Sequence, residues 1–105
     1  MTESRRTQRR AAAFLLYQRD LTGSEFPPLY EAYERDNGTP PGTFAQTAAE
    51  SAWAERERLD AVIDAAAMEW TAERMAVLER SILRLAVWEL QAGDPPPAVV
   101  IRTGW

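Results

Sequence analysis

The chain has 105 residues, 46% of them apolar and 27% charged, with a formal net charge of -4. That composition fits one small soluble domain with a modest core. Cysteine and histidine are both absent, which excludes disulfides, thiol nucleophiles, imidazole acid-base catalysis and the usual zinc ligands.

Charge is unevenly spread. Residues 1–22 hold five arginines against Glu3 and Asp20, whereas the remainder holds seven arginines against fourteen carboxylates. An acidic body argues against indiscriminate nucleic-acid binding but leaves room for a local anion-binding face. Every cation is arginine. Guanidinium suits bidentate phosphate contacts and stacking on bases, although GC-rich coding is a simpler source of the bias. No apolar run approaches the roughly 20 residues that span a bilayer, and no signal-peptide core is present, so the expected location is the cytoplasm, without a membrane role.

Residues 4–21 read as a first helix, capped by Ser4 or Thr2 and ended by Thr22-Gly23-Ser24. Arg5, Arg6, Arg9 and Arg10 fall on one side of it, with Tyr17 between Arg6 and Arg10 in projection at about 100° per residue. Ala11, Phe14, Leu15 and Leu21 are expected on the other side, entering a core. The arrangement is an arginine comb with an aromatic ring beside it. Solvated helix ends often carry such charges without function. Alternatively, each neutralised phosphate adds salt-dependent affinity and the ring stacks an unpaired base. With no groove-reading motif, the comb suits single-stranded RNA better than duplex DNA.

A short second helix is predicted from Pro27-Pro28 through Tyr33, stopped by Asn37-Gly38, with a loop over 39–43. From Phe44 to Met68, the residues Phe44, Ala48, Ala52, Leu59, Ile63 and Ala66 recur at helical spacing. The polar cluster Glu55-Arg56-Glu57-Arg58 interrupts them. Two helices meeting there, or one bent helix, satisfy the pattern, and local ion pairs on a solvated face account for the cluster. Thr71 is the expected cap of the next helix, with Glu73 in its first turn and Trp70 and Met75 as a hydrophobic staple. That helix extends to about Gln91, where Gly93 and Pro95-Pro96-Pro97 end it. Its apolar arc of Met75, Leu78, Ile82, Leu83, Leu85, Ala86, Val87 and Leu90 marks a central helix. No strand alternation is visible, so the predicted class is all-α, a small bundle of five or so helices.

Two carboxylates interrupt that arc. Glu79 and Glu89 each need a partner if buried. An internal arginine pair or a rim position would satisfy them; alternatively, Glu79 marks where the arc meets a partner protein or RNA. Neither has a catalytic companion, and no phosphate loop, metal spacing or nucleophile motif occurs, so no enzyme, metal or cofactor is expected. Trp88 projects away from the arc, to be covered by this chain or by a partner. Glu79, Arg80 and Trp88 form the candidate partner-binding set.

Three segments together resemble the NusB family of bacterial transcription antitermination factors. They are Arg5–Tyr17, Met75–Leu90 and the run Pro96-Pro97-Ala98-Val99-Val100-Ile101. The resemblance implies an all-helical, non-enzymatic RNA-binding factor. Its implied partners are the ribosomal protein NusE, boxA-type RNA of ribosomal RNA operons and the RNA polymerase antitermination complex. By position, Arg5, Arg6, Arg9, Arg10 and Tyr17 would line the RNA side and Glu79 would lie at or near the RNA and NusE surface. Where family members continue with further helices, this sequence has Arg102-Thr103-Gly104-Trp105. The expectation is one domain over 1–105 that lacks the family's last helices and is prone to low stability or homodimer formation. The resemblance also fits the NusB-like domain of a ribosomal RNA cytosine methyltransferase. Apart from the resemblance, a helical interaction module or dimer whose arginines are merely solvated is the remaining alternative.

Overall fold

A computed structural model describes residues 4–66, 72 and 75–92. Among them are five helices and no strand: α1 (Arg5–Thr22), α2 (Phe26–Asn37), α3 (Thr43–Ala54), α4 (Arg56–Ala66) and α5 (Val77–Ala92). The all-α class is as predicted, and no described helix is long and apolar enough to cross a membrane.

The helix boundaries follow from local chemistry. Ser4 sits in extended geometry and its hydroxyl accepts the Thr7 N–H at 3.1 Å, satisfying a donor that the first turn would leave open. Gly23, at φ +77°, closes α1 by returning its N–H to the Arg19 carbonyl, a left-handed cap that glycine adopts without strain. Two prolines occupy the first turn of α2, and Gly38 ends it in the same left-handed way. The polar cluster proves to be a junction of two helices. Glu55 caps α3, and Arg58 pairs back to Glu55 at 2.6 Å.

α1 is the hub, packing on α3, α5 and α2, while α4 lies against α5 and α3. The face of α3 turned inward is all alanine: Ala45, Ala48, Ala49 and Ala52 are fully buried. Such small side chains let α1 approach closely and seat Leu15 and Leu16 in the main core with Leu59 and Leu85. A smaller cluster of Ile63, Ala72 and Met75 joins the main one through Val87. Ala66, expected on the apolar face of α4, is exposed.

The central helix differs from expectation at its start and in its buried face. α5 begins at Val77, several residues later than predicted. The Ala72 N–H is taken by the Asp64 carboxylate at 2.6 Å, and Met75 bonds back to the Ala72 carbonyl and buries itself in the smaller cluster. Those bonds hold a turn in place of the expected helical start; Thr71, Glu73 and Trp70, the proposed cap and staple, lie outside the described residues. The face that α5 buries comprises Ser81, Arg84, Leu85 and Glu89, while Leu78 and Leu83 are 47% and 38% exposed. Polar groups enter the interior because each finds a partner. The Ser81 hydroxyl donates to the Val77 carbonyl at 2.9 Å, and Arg84 grips Asp60 through two bonds of 2.6 and 2.7 Å while reaching Asp20 at 3.2 Å. Burial alone would lower the Arg84 pKa, but hydrogen bonds and charge from Asp60, then from Asp20, hold it above its ordinary value.

Candidate nucleic-acid interface

The expected comb is built on α1, whose inner side is fixed by the core, so the structure decides which arginines remain outside. Arg5, Arg6 and Arg10 are exposed. Arg9 is not. It is 0% exposed and bonded to Glu89 of α5 through Nε–Oε1 at 2.9 Å and Nη2–Oε2 at 2.6 Å, with Glu89 equally buried. Arg9 therefore leaves the predicted RNA-contacting set and becomes a core residue. The pair also accounts for Glu89 as an internal arginine partner.

Arg5 lies with its guanidinium 3.8 Å from the Phe44 ring centroid, a cation–π contact that positions the cation beside the start of α3. Phe44 packs in turn on Trp88, with centroids 6.1 Å apart. Trp88 is thus half-buried and covered by this chain, which removes the reason for assigning it to a partner. Arg80 also turns inward: its Nη2 donates to Asp20 at 2.7 Å and its Nη1 reaches the Ala72 carbonyl. Of the three candidate partner residues, Glu79 alone is exposed, on the side of α5 where Leu83 also meets solvent.

Tyr17 is half-buried and shares the outer side of α1 with Arg6 and Arg10. Phe14 and Leu21, expected in the core, share it too, at 46% and 56% exposure. The helical projection carries this signal: Leu21 falls between Arg10 and Phe14, and Phe14 lies about 40° beyond Arg10. Apolar character alone does not dictate burial at these two positions. The outer face of α1 is therefore cationic toward its N-terminus and increasingly apolar and aromatic toward its C-terminus, a surface suited to phosphate contacts at one end and ring stacking at the other. No group of acidic residues among those described could hold a metal ion.

Comparison with known proteins agrees with this architecture. The NusB family model matches residues 6–103. The transcription antitermination protein NusB of Rubrobacter xylanophilus is 42% identical over 100 residues, covering 94% of this chain and 71% of that protein. Its counterpart in Saccharopolyspora erythraea is 34% identical, covering 93% and 68%. Among solved structures, a chain in the crystal structure of a plectonemic RNA supercoil superposes with a TM-score of 0.82 at 25% identity, over 94% of this chain and 75% of that one.

Proposed function

This chain belongs to the NusB family of transcription antitermination proteins, and on that premise we propose that it binds single-stranded boxA-type RNA together with NusE, as part of the RNA polymerase antitermination complex. Support comes chiefly from the exposed Arg6 and Arg10 on the outer face of α1, with the exposed Arg5 beside them at the start of α3, set on an otherwise acidic protein. Localised positive charge on a negative body favours a polyanion at one face and discourages it elsewhere. Glu79, with Leu83 on the exposed side of α5, is the proposed contact with NusE. The two relatives compared above are both named as transcription antitermination proteins.

The test is fluorescence anisotropy of a boxA-containing RNA, with and without NusE, across a salt series. Arg6→Ala with Arg10→Ala should weaken binding and reduce the salt slope by about 0.7 for each phosphate that is no longer neutralised. The melting temperature should barely change, because neither side chain contributes to the core. Folded wild-type protein that binds the RNA in neither condition sinks the proposal.

A further inference from the structure

Between the outer face of α1 and the end of α2 lies an open cleft of about 360 Å³, lined in part by Arg10, Phe14, Tyr33, Asp36 and Asn37. Its volume is at the small end of ligand pockets, which run from roughly 300 to 1,000 Å³. Tyr33 packs against the main core and supplies part of an apolar floor, while Phe14 stands exposed at the side. Arg10 and Asp36 both open onto this cleft, yet among the described residues neither forms an ion pair. The Asn37 amide is held by its bond to the Tyr33 carbonyl at 2.9 Å, which leaves its oxygen able to accept.

A cation, an exposed ring and a carboxylate in one small cleft are the groups that a single nucleotide engages. The cation meets phosphate, the ring stacks the base and the carboxylate accepts N–H donors from the base edge. Because an ionised carboxylate only accepts, it favours a base offering two adjacent donors. Guanine does so with N1–H and N2–H. Adenine, cytosine and uracil each place an acceptor beside their donor on that edge, opposite the second carboxylate oxygen. We propose that the α1–α2 cleft is a guanine-preferring nucleotide subsite, in which Phe14 stacks the base, Asp36 accepts its two N–H groups and Arg10 pairs with the adjoining phosphate. The inference rests on the RNA-binding role proposed above, with which it shares Arg10.

The test compares two short single-stranded RNAs, otherwise all uridine, carrying one central guanine or one central adenine. Wild-type protein should prefer the guanine RNA by roughly tenfold, the scale of one paired base contact. Asp36→Asn, at an exposed position, should abolish that preference, bringing the guanine-to-adenine affinity ratio to about one. Phe14→Leu should weaken the guanine RNA more than the adenine one. Equal affinity of wild type for both RNAs, an undiminished preference in Asp36→Asn, or tighter binding of polyglutamate than of either RNA overturns the subsite. If the preference is missing while Arg6→Ala with Arg10→Ala still weakens RNA binding, the cleft fails and the RNA role stands. If neither RNA binds but guanosine monophosphate shifts the NMR signals of Phe14 and Asn37, and does not in Asp36→Asn, the cleft stands and the RNA role fails.

Discussion

Arg9 has no solvent-exposed surface, and Glu89 meets its charge through two parallel hydrogen bonds. Losing one member leaves the other charged and buried, which typically costs about 3–5 kcal/mol, a large share of the stability of a domain this size. Arg9→Met is therefore expected to shift urea unfolding strongly, whereas Arg9→Met with Glu89→Leu should recover much of the loss by filling the space with apolar groups. A double variant no more stable than the single one would contradict this. A second residue-scale prediction concerns Gly42, which has no side chain to cap α3. Gln8 of α1 performs that role, its Oε1 accepting the Phe44 N–H at 3.0 Å. A Cβ on Gly42 would lie 2.6 Å from the same oxygen. Gly42→Ala should thus cost about 1 kcal/mol by displacing the cap, and combining it with Gln8→Ala should cost little more than Gln8→Ala alone.

At the scale of elements, α2 is tied to α3 by the Tyr30 hydroxyl donating to the Glu50 carboxylate. Burial, then that hydrogen bond, then the Glu50 charge raise the Tyr30 pKa well above its ordinary value. The folded form therefore resists losing the proton more than the unfolded chain does. Its contribution is intact below about pH 10, the unfolded value, and is lost as pH climbs beyond it. Denaturation midpoints should fall above about pH 10 in wild type and show a smaller fall in Tyr30→Phe. Element boundaries are legible in the sequence where the cause is local: Ser4, Gly23, Pro27, Pro28 and Gly38 act within one turn of their own position. The inward face of α5 is legible only in part: Leu85 lies in the predicted arc and an internal arginine is one of the readings for Glu89, but nothing local marks Ser81 and Arg84 as buried. Its polar residues are buried through Asp60 and Asp20, which are 24 and 64 residues away from Arg84 in sequence, and Arg9 finds its partner 80 residues on. The pattern shows that a charge such as Glu89 needs a partner; only the tertiary packing reveals which residue supplies it. For the same reason the spacing of Arg5, Arg6, Arg9 and Arg10 reveals four arginines on one helix, but not that three lie outside and one inside.

In the whole molecule, α1 and α3 share the main core, whereas the end of α4 and the approach to α5 rest on the three-residue cluster around Ile63. Hydrogen exchange under native conditions should accordingly protect amides at Ala48–Ala52 longer than those at Ile63–Ala66, since opening the smaller cluster exposes less apolar surface. Equal protection would mean that both clusters open only together. The helix carrying the exposed arginines is also the one around which the main core is assembled. Its body cannot swing or refold to greet a ligand without dismantling that core. Recognition on its outer face is thus a rigid docking with the cations already in place. Calorimetry of RNA binding should record only a small change in heat capacity, and stopped-flow association should proceed in one phase, with no slow step ascribable to the protein.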